Sequence, residues 1–209
     1  MLRTLGATAL CSAFSLALLA AAPAVAQAPP PASKEPAAAA AGSYKLDPNH
    51  TSVIARVGHM NGFSYSTFRF GKASGTLTWD PTRIEASKVD ITVEPGSIMT
   101  PVAGFAEELR GERFLDVAKF PQARFVSTAI RRTGPATGQI TGELTFMGQT
   151  RPVVVDGELV GAGKNMRGIS TVGFTGKARF KRSDFGYTAM IPIIGDEVEL
   201  LVDAEFNQG

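Results

Sequence analysis

Apolar and polar residues alternate with period two along most of the chain from Val53 onward. In Ile140–Phe146, Ile140, Gly142, Leu144 and Phe146 share one face, and Thr141, Glu143 and Thr145 the other. In Thr171–Lys181, Val172, Phe174, Gly176, Ala178 and Phe180 oppose Thr171, Thr175, Lys177, Arg179 and Lys181. Successive side chains of a strand point to opposite faces, so each run predicts a strand with one dry and one wet face. Val53–His59, Ser74–Trp79, Lys88–Glu94, Ala123–Ile130, Val153–Val160 and Val198–Phe206 read the same way. Turn signals separate many of them: Asp47-Pro48-Asn49, Asp80-Pro81, Glu94-Pro95-Gly96, Gly134-Pro135 and Gly161-Ala162-Gly163. About eight such strands must share one interior. The expected fold is all-β, an antiparallel barrel without unprotected edges, with a two-sheet sandwich as its competitor. One short helix is predicted near 101–110. There Phe105 and Leu109 fall one turn apart and Gly111 ends the run.

The N-terminus follows a different pattern. Arg3, the apolar run Leu5–Ala22 and the small residues Ala24-Val25-Ala26 compose a secretory signal peptide, with cleavage expected after Ala26 and a periplasmic destination. A retained anchor fits poorly, because the run is short, rich in Ala and followed by Pro23. A lipoprotein fits poorly too, since the single Cys11 lies inside the run behind the bulky Leu10. Loss of Cys11 with the signal would remove disulfides, thiol nucleophiles and cysteine metal sites. Residues 27–42, QAPPPASKEPAAAAAG, read as a flexible Pro/Ala-rich linker. Residues 43–209 then form one soluble domain of ordinary size. The formal net charge is only +2, and Arg3 supplies one unit of it. That balance argues against nucleic acid as a partner, because phosphate neutralisation needs a basic excess.

Of the 13 Phe, all but Phe14 lie beyond the signal. Phe125, Phe146, Phe174, Phe180 and Phe206 fall on dry faces; Phe63, Phe68, Phe70, Phe105, Phe114, Phe120 and Phe185 cluster in or near loops. The dry faces also carry Ala55, Gly142, Gly157, Gly176, Ala178 and Ala204. Large residues mixed with small ones are compatible with a packed core or with a retained tunnel, and periodicity does not choose between them. Enzyme signatures are missing: there is no Gly-x-Ser-x-Gly elbow and no His-Glu-x-x-His. Glu107-Glu108 and Asp196-Glu197 are sequence neighbours and poorly disposed to share a proton. His50 and His59, the only histidines, make no specific metal pattern. Hence no catalytic residue, no metal and no cofactor are expected. The segment Phe185–Gly195, FGYTAMIPIIG, is unusually apolar for a connection. With Tyr187, Met190, Ile191, Ile193 and Ile194 it suggests a flap, a membrane contact or a homodimer contact.

A series of ordered motifs carries a family resemblance. It opens with Tyr44-x-Leu46-Asp47-Pro48-x-His50-Thr51-Ser52-Val53 and Val57-x-His59. It continues with Gly75-x-Leu77, Val89-Asp90-Ile91-Thr92-Val93 and the block Phe114-Leu115-Asp116-Val117-Ala118-Lys119-Phe120-Pro121, followed by Phe125-x-Ser127-Thr128. Gly142-x-Leu144-Thr145-Phe146-x-Gly148-x-Thr150-Arg151-Pro152-Val153, Arg182-Ser183-Asp184-Phe185-Gly186 and Gly195-Asp196-x-Val198 complete it. In these features the chain resembles the YceI-like family of exported polyisoprenoid-binding proteins. The resemblance implies an up-and-down, lipocalin-like barrel whose tunnel takes a polyisoprenoid lipid or an isoprenoid quinone, without catalysis. Where members often show Arg-Asp-x-His-Leu, this chain has Phe105-Ala106-Glu107-Glu108-Leu109-Arg110. Candidate tunnel residues are Val53, Ala55, Val57, His59, Phe63, Phe68, Phe70, Trp79, Phe105, Phe114, Phe125, Phe146, Phe174, Phe185, Ile191 and Ile194. His59, Arg182 and Asp184 are the head-group candidates. Each has a plainer reading, His59 as a hydrogen-bonded strand end and Arg182 with Asp184 as a salt-bridged turn. A periplasmic enzyme acting on a lipid-linked substrate, or a stress-related module, is the alternative function.

Overall fold

The computed structural model describes residues 31–209, so the leader read at 1–26 lies outside it. Eleven strands run through the described residues: β1 (Gly42–Leu46), β2 (Ser52–His59), β3 (Ser64–Phe70), β4 (Ala73–Trp79), β5 (Lys88–Val93), β6 (Ile98–Met99), β7 (Ala123–Arg132), β8 (Thr137–Phe146), β9 (Gln149–Lys164), β10 (Ser170–Lys181) and β11 (Glu197–Gln208). One short helix, α1 (Phe105–Arg110), lies between β6 and β7. Eight strands close a ring in the order β1-β4-β5-β7-β8-β9-β10-β11, with β11 returning to β1; β2, β3 and β6 extend it.

The three extra strands are continuations of staves. Phe206 of β11 pairs with Leu46 of β1, while Val198 of β11 pairs with Val57 of β2. β1 and β2 are therefore one stave, broken by the turn at Pro48–His50. In the same way β4 lies beside β1 while β3 lies beside β2, and β5 lies beside β4 while β6 lies beside β3. Counted as staves, the barrel has the expected eight, all antiparallel and each beside its neighbour in sequence, which is an up-and-down meander.

Four expectations are corrected. Phe68 and Phe70 are strand residues of β3, not loop aromatics. Gly161-Ala162-Gly163 is no turn: it lies within β9, where Gly173 pairs with Gly161 but Phe174 pairs with Leu159. That bulge leaves Val160 unpaired and interrupts the period-two signal. Pro101–Gly104 precede α1, whose N-cap Gly104 adopts positive φ. The linker expected at 27–42 is not free beyond Ser33. Ser33 and Ala162 exchange backbone hydrogen bonds of 2.9 and 2.7 Å. The Tyr44 hydroxyl donates to the Ala40 carbonyl and shares a hydrogen bond of 2.8 Å with Ser170. Pro36 and Ala39 are buried, and Ala39 joins a cluster with Tyr44, Trp79, Val172 and Phe206. Proline and alanine lose little side-chain freedom when ordered, so a composition typical of a tether also makes an inexpensive cover for an apolar barrel end.

At Gly142 the backbones approach closely. A β-carbon there would lie 2.5 Å from the Val126 carbonyl oxygen and would also strike the Phe125 ring. Gly142→Val is expected to destabilise the fold by about 2 kcal/mol or more. Urea denaturation measures it; a loss under about 0.5 kcal/mol, the usual surface value, would show that the approach is not tight.

Candidate functional site

The staves enclose a cavity of about 590 Å³ that reaches from one end of the barrel to the other. That volume lies in the usual range for small-ligand sites. Its wall is the inward phase of the alternation: Val53, Ala55 and Val57 from β2, Leu77 and Trp79 from β4, Val89, Ile91 and Val93 from β5, Ile140, Leu144 and Phe146 from β8, and Val153, Val155, Gly157 and Leu159 from β9. Phe174, Gly176, Ala178 and Phe180 from β10 and Val198, Leu200, Val202, Ala204 and Phe206 from β11 continue it, with Phe68 and Phe70 from β3 and Ala123 and Phe125 from β7. Small residues at 55, 157, 176, 178 and 204 stand where larger ones would fill the centre. The interior question left open by periodicity is thereby answered: it is hollow.

The two ends differ. At the end where β4 meets β5, Pro36, Trp79, Ile84, Ser87, Pro135 and Ala136 line the cavity, beneath the ordered 33–41 segment. At the opposite end, which we call the mouth, two segments lie across the opening. One holds Phe105, Glu108 and Leu109 of α1 with Phe114 and Leu115; the other holds Tyr187, Ala189, Met190 and Ile194. Phe146 stacks edge-on against both Phe185 and Tyr187, at 5.8 and 6.2 Å between ring centroids.

Arg182 organises the second segment. It is only 3% exposed, yet among the described residues its guanidinium forms no salt bridge with a carboxylate and is held by carbonyls instead. Nε donates to Gly195 O at 2.8 Å, one terminal nitrogen to Ala189 O at 2.7 Å and Tyr187 O at 3.4 Å, and the other to Ile194 O at 2.9 Å. The Tyr187 ring covers the guanidinium, 4.9 Å from its carbon. Burial draws Arg182 below its ordinary pKa, against the opposing pull of Tyr187 and Asp196, and burial raises the Tyr187 phenol. Asp196 also loses solvation, but hydrogen bonds from the Ser183 backbone and hydroxyl outweigh that and hold its carboxyl below the usual value.

Of the sequence-derived candidates, Val53, Ala55, Val57, His59, Phe68, Phe70, Trp79, Phe105, Phe114, Phe125, Phe146, Phe174 and Ile194 line the cavity. Phe63 does not: it is 92% exposed, because the Met60–Gly62 turn carries it past the end of β2. Phe185 is 1% exposed but sits behind the wall, between Phe146 and Phe180. Ile191 is half-buried outside the cavity, and Asp184 is exposed with no place in it. Arg182 does reach the wall, but four of its five N–H donors already serve carbonyls, so it is neither the salt-bridged turn nor a free phosphate ligand. His59 lines the mouth and approaches the Ser64 hydroxyl at 3.4 Å. Residue-by-residue choice missed the aliphatic majority of the wall, although the phase of the alternation already marked it. Away from the cavity, Asp47, His50 and Glu205 bring ligand atoms within 4.8 Å of one another. The Asp47 carboxylate there accepts from the Asn49 backbone, His50 and Asn207, as a turn brace would. The His50 contact lowers Asp47 and raises His50.

A closed meander around an apolar hollow defines a ligand-holding barrel. Comparison with known proteins gives the family: YceI-like domain sequences match residues 44–206, and the chain belongs to the YceI-like family. It is 37% identical over 169 residues to Protein YceI of Salmonella arizonae and of Salmonella enteritidis, covering 80% of this chain and 87% of theirs. Among solved structures it is similar to Burkholderia cenocepacia BcnA (TM-score 0.69, 24% identity, 77% of this chain and 98% of that one). It is also similar to the Campylobacter jejuni YceI protein (TM-score 0.63, 26% identity, 70% and 87%). A polyisoprenoid binding domain from Saccharophagus degradans shares the fold (TM-score 0.61, 15% identity, 79% and 98%).

Replacing Arg182 by Leu orphans four carbonyls and is expected to destabilise the protein by about 3 kcal/mol. Arg182→Lys should recover little, because one ammonium cannot span four carbonyls. Thermal unfolding and amide exchange at 183–195 measure both; full recovery by Lys would contradict the four-point attachment.

Proposed function

We propose that this protein binds and carries, or sequesters, a long-chain isoprenoid lipid, a polyisoprenoid or an isoprenoid quinone, in the periplasm, and that it is not an enzyme. The observation that carries the reading is the continuous apolar cavity of about 590 Å³ along the barrel. Desolvation supplies the affinity, at roughly 0.8 kcal/mol for each CH₂ removed from water. An aliphatic wall of this kind discriminates weakly among tails, so cavity length and the contacts at its ends select the ligand. The polyisoprenoid binding domain of the same fold from Saccharophagus degradans agrees with this reading. The leader expected from the sequence at residues 1–26 supports the periplasmic part of this reading.

The mouth has a greasy rim. Met60, Phe63, Tyr65, Met190 and Ile193 are exposed, and the Asn61 amide donates to the Ile193 carbonyl, tying the two rim segments together. We infer that this rim touches a lipid surface during loading.

Native mass spectrometry with organic extraction of purified protein tests the carrier reading. A bound or reloaded lipid of isoprenoid mass is expected, and protein that never takes up lipid refutes it. Gly157→Phe tests the location. A β-carbon at Gly157 meets nothing closer than Ile140 Cδ1 at 3.6 Å, so the ring is accommodated by entering the hollow. The variant should fold and lose lipid uptake by about tenfold or more; wild-type uptake would place the lipid elsewhere. Phe63→Ser should slow loading from vesicles several-fold and leave the affinity for dispersed lipid unchanged, by stopped-flow transfer; an unaltered rate would exclude the rim.

A further inference from the structure

The covered end of the cavity contains two hydrogen-bond donors that the fold does not use. Trp79 is 4% exposed, and its Nε1 is buried with no hydrogen-bond partner among the described residues. Ser87 is also 4% exposed. Its oxygen accepts from the Asp80 amide at 3.0 Å, and no hydrogen bond among the described residues uses its hydroxyl proton. Both residues line the cavity. They are also neighbours: Thr78 pairs with Lys88 at the last rung of the β4–β5 ladder, Trp79 and Ser87 are the next residues beyond it on the two sides, and the Ser87 hydroxyl oxygen meets the Asp80 amide. Native interiors satisfy nearly all buried polar groups, and an indole N–H left bare at a cavity wall is the kind of exception a ligand explains.

The surroundings narrow the chemistry. Ile84, Pro36, Pro135 and Ala136 provide apolar surface beside the pair. Arg132 is the one cation lining that end among the described residues, and it donates to the Gly134 and Pro135 carbonyls at 2.9 and 2.6 Å. Those bonds turn the exposed Arg132 guanidinium toward the backbone of its own turn, and a phosphate or carboxylate buried beside Trp79 would lose its solvation. An uncharged oxygen avoids that cost.

We propose that the Trp79–Ser87 pair is a subsite for an uncharged oxygen acceptor, a ketone or quinone carbonyl, on the buried end of the bound lipid. This rests on the lipid-holding reading and adds an orientation to it: the oxygenated end enters first and the tail runs toward the mouth. At the mouth, Arg182 keeps at most one N–H to offer a head group, which suits this polarity.

Trp79 is the only tryptophan, so its indole gives a single ¹H–¹⁵N resonance. The test titrates delipidated full-length protein with phytone, an isoprenoid ketone, and with 2,6,10-trimethylpentadecane, the hydrocarbon of the same carbon skeleton. Phytone is expected to move the indole proton downfield and to bind about three- to tenfold tighter than the hydrocarbon. The hydrocarbon should perturb the resonance without the downfield move. In Trp79→Phe the ketone preference should fall to about one, and in Ser87→Ala it should shrink while the indole shift persists. Equal affinities with no downfield move in the wild type would overturn the subsite and leave the carrier reading standing. Failure of both probes to bind would overturn the carrier reading together with the subsite.

Discussion

The structure depends on a mismatch between a closed backbone and the side chains inside it. Eight staves joined by ladder hydrogen bonds fix the circumference of the barrel, and that circumference cannot shrink without breaking a pairing. The inward positions then decide what the interior contains. Here Ala55, Gly157, Gly176, Ala178 and Ala204 alternate with Phe174, Phe180 and Phe206, and the small residues do not reach one another across the centre. The barrel cannot collapse onto the gap, so an apolar hollow persists. Water makes poor partners there, and a hydrocarbon chain makes good ones.

The ends of the barrel carry the cost of that arrangement. An open hydrophobic tube would expose its contents, and each end is covered differently. The β4–β5 end is covered by the ordered segment from Ser33 to Ala41, anchored through Ala162, Ser170 and Tyr44. The mouth is covered by α1 and by the segment that Arg182 gathers from within. A buried guanidinium holding carbonyls rather than a carboxylate lets a short apolar loop keep its backbone satisfied without a regular ladder. The first cover is tied to the barrel by a backbone bridge and side-chain hydrogen bonds. The second is assembled from a short helix and a connection, and irregular connections are the class of element that opens most readily.

Much of this was legible in the alternation of apolar and polar positions. The eight longest runs became strands, and Phe105 and Leu109 did face the interior from a helix. The losses have physical causes. β3 begins Ser64-Tyr65-Ser66-Thr67, so its inward phase starts on a serine and only Phe68 and Phe70 announce it. The bulge at Val160 shifts the period and makes Gly161–Gly163 resemble a turn. Phe63, Phe185, Ile191 and Asp184 lie at stave ends or in connections, where alternation carries no phase. Arg182 draws its partners from the irregular backbone of its own loop, which no spacing rule predicts. The pairing of Trp79 with Ser87 required the register of a hairpin, and composition alone made residues 33–41 look free.

The central claim is that a lipid chain occupies the hollow between the small residues of β2, β10 and β11. Isotope-filtered NOE spectroscopy on ¹³C-alanine-labelled protein holding an unlabelled isoprenoid reads this directly. We predict cross-peaks from the chain to the methyls of Ala55, Ala178 and Ala204, which lie on the inner wall. A stably bound chain that shows no contact with these three methyls would contradict it.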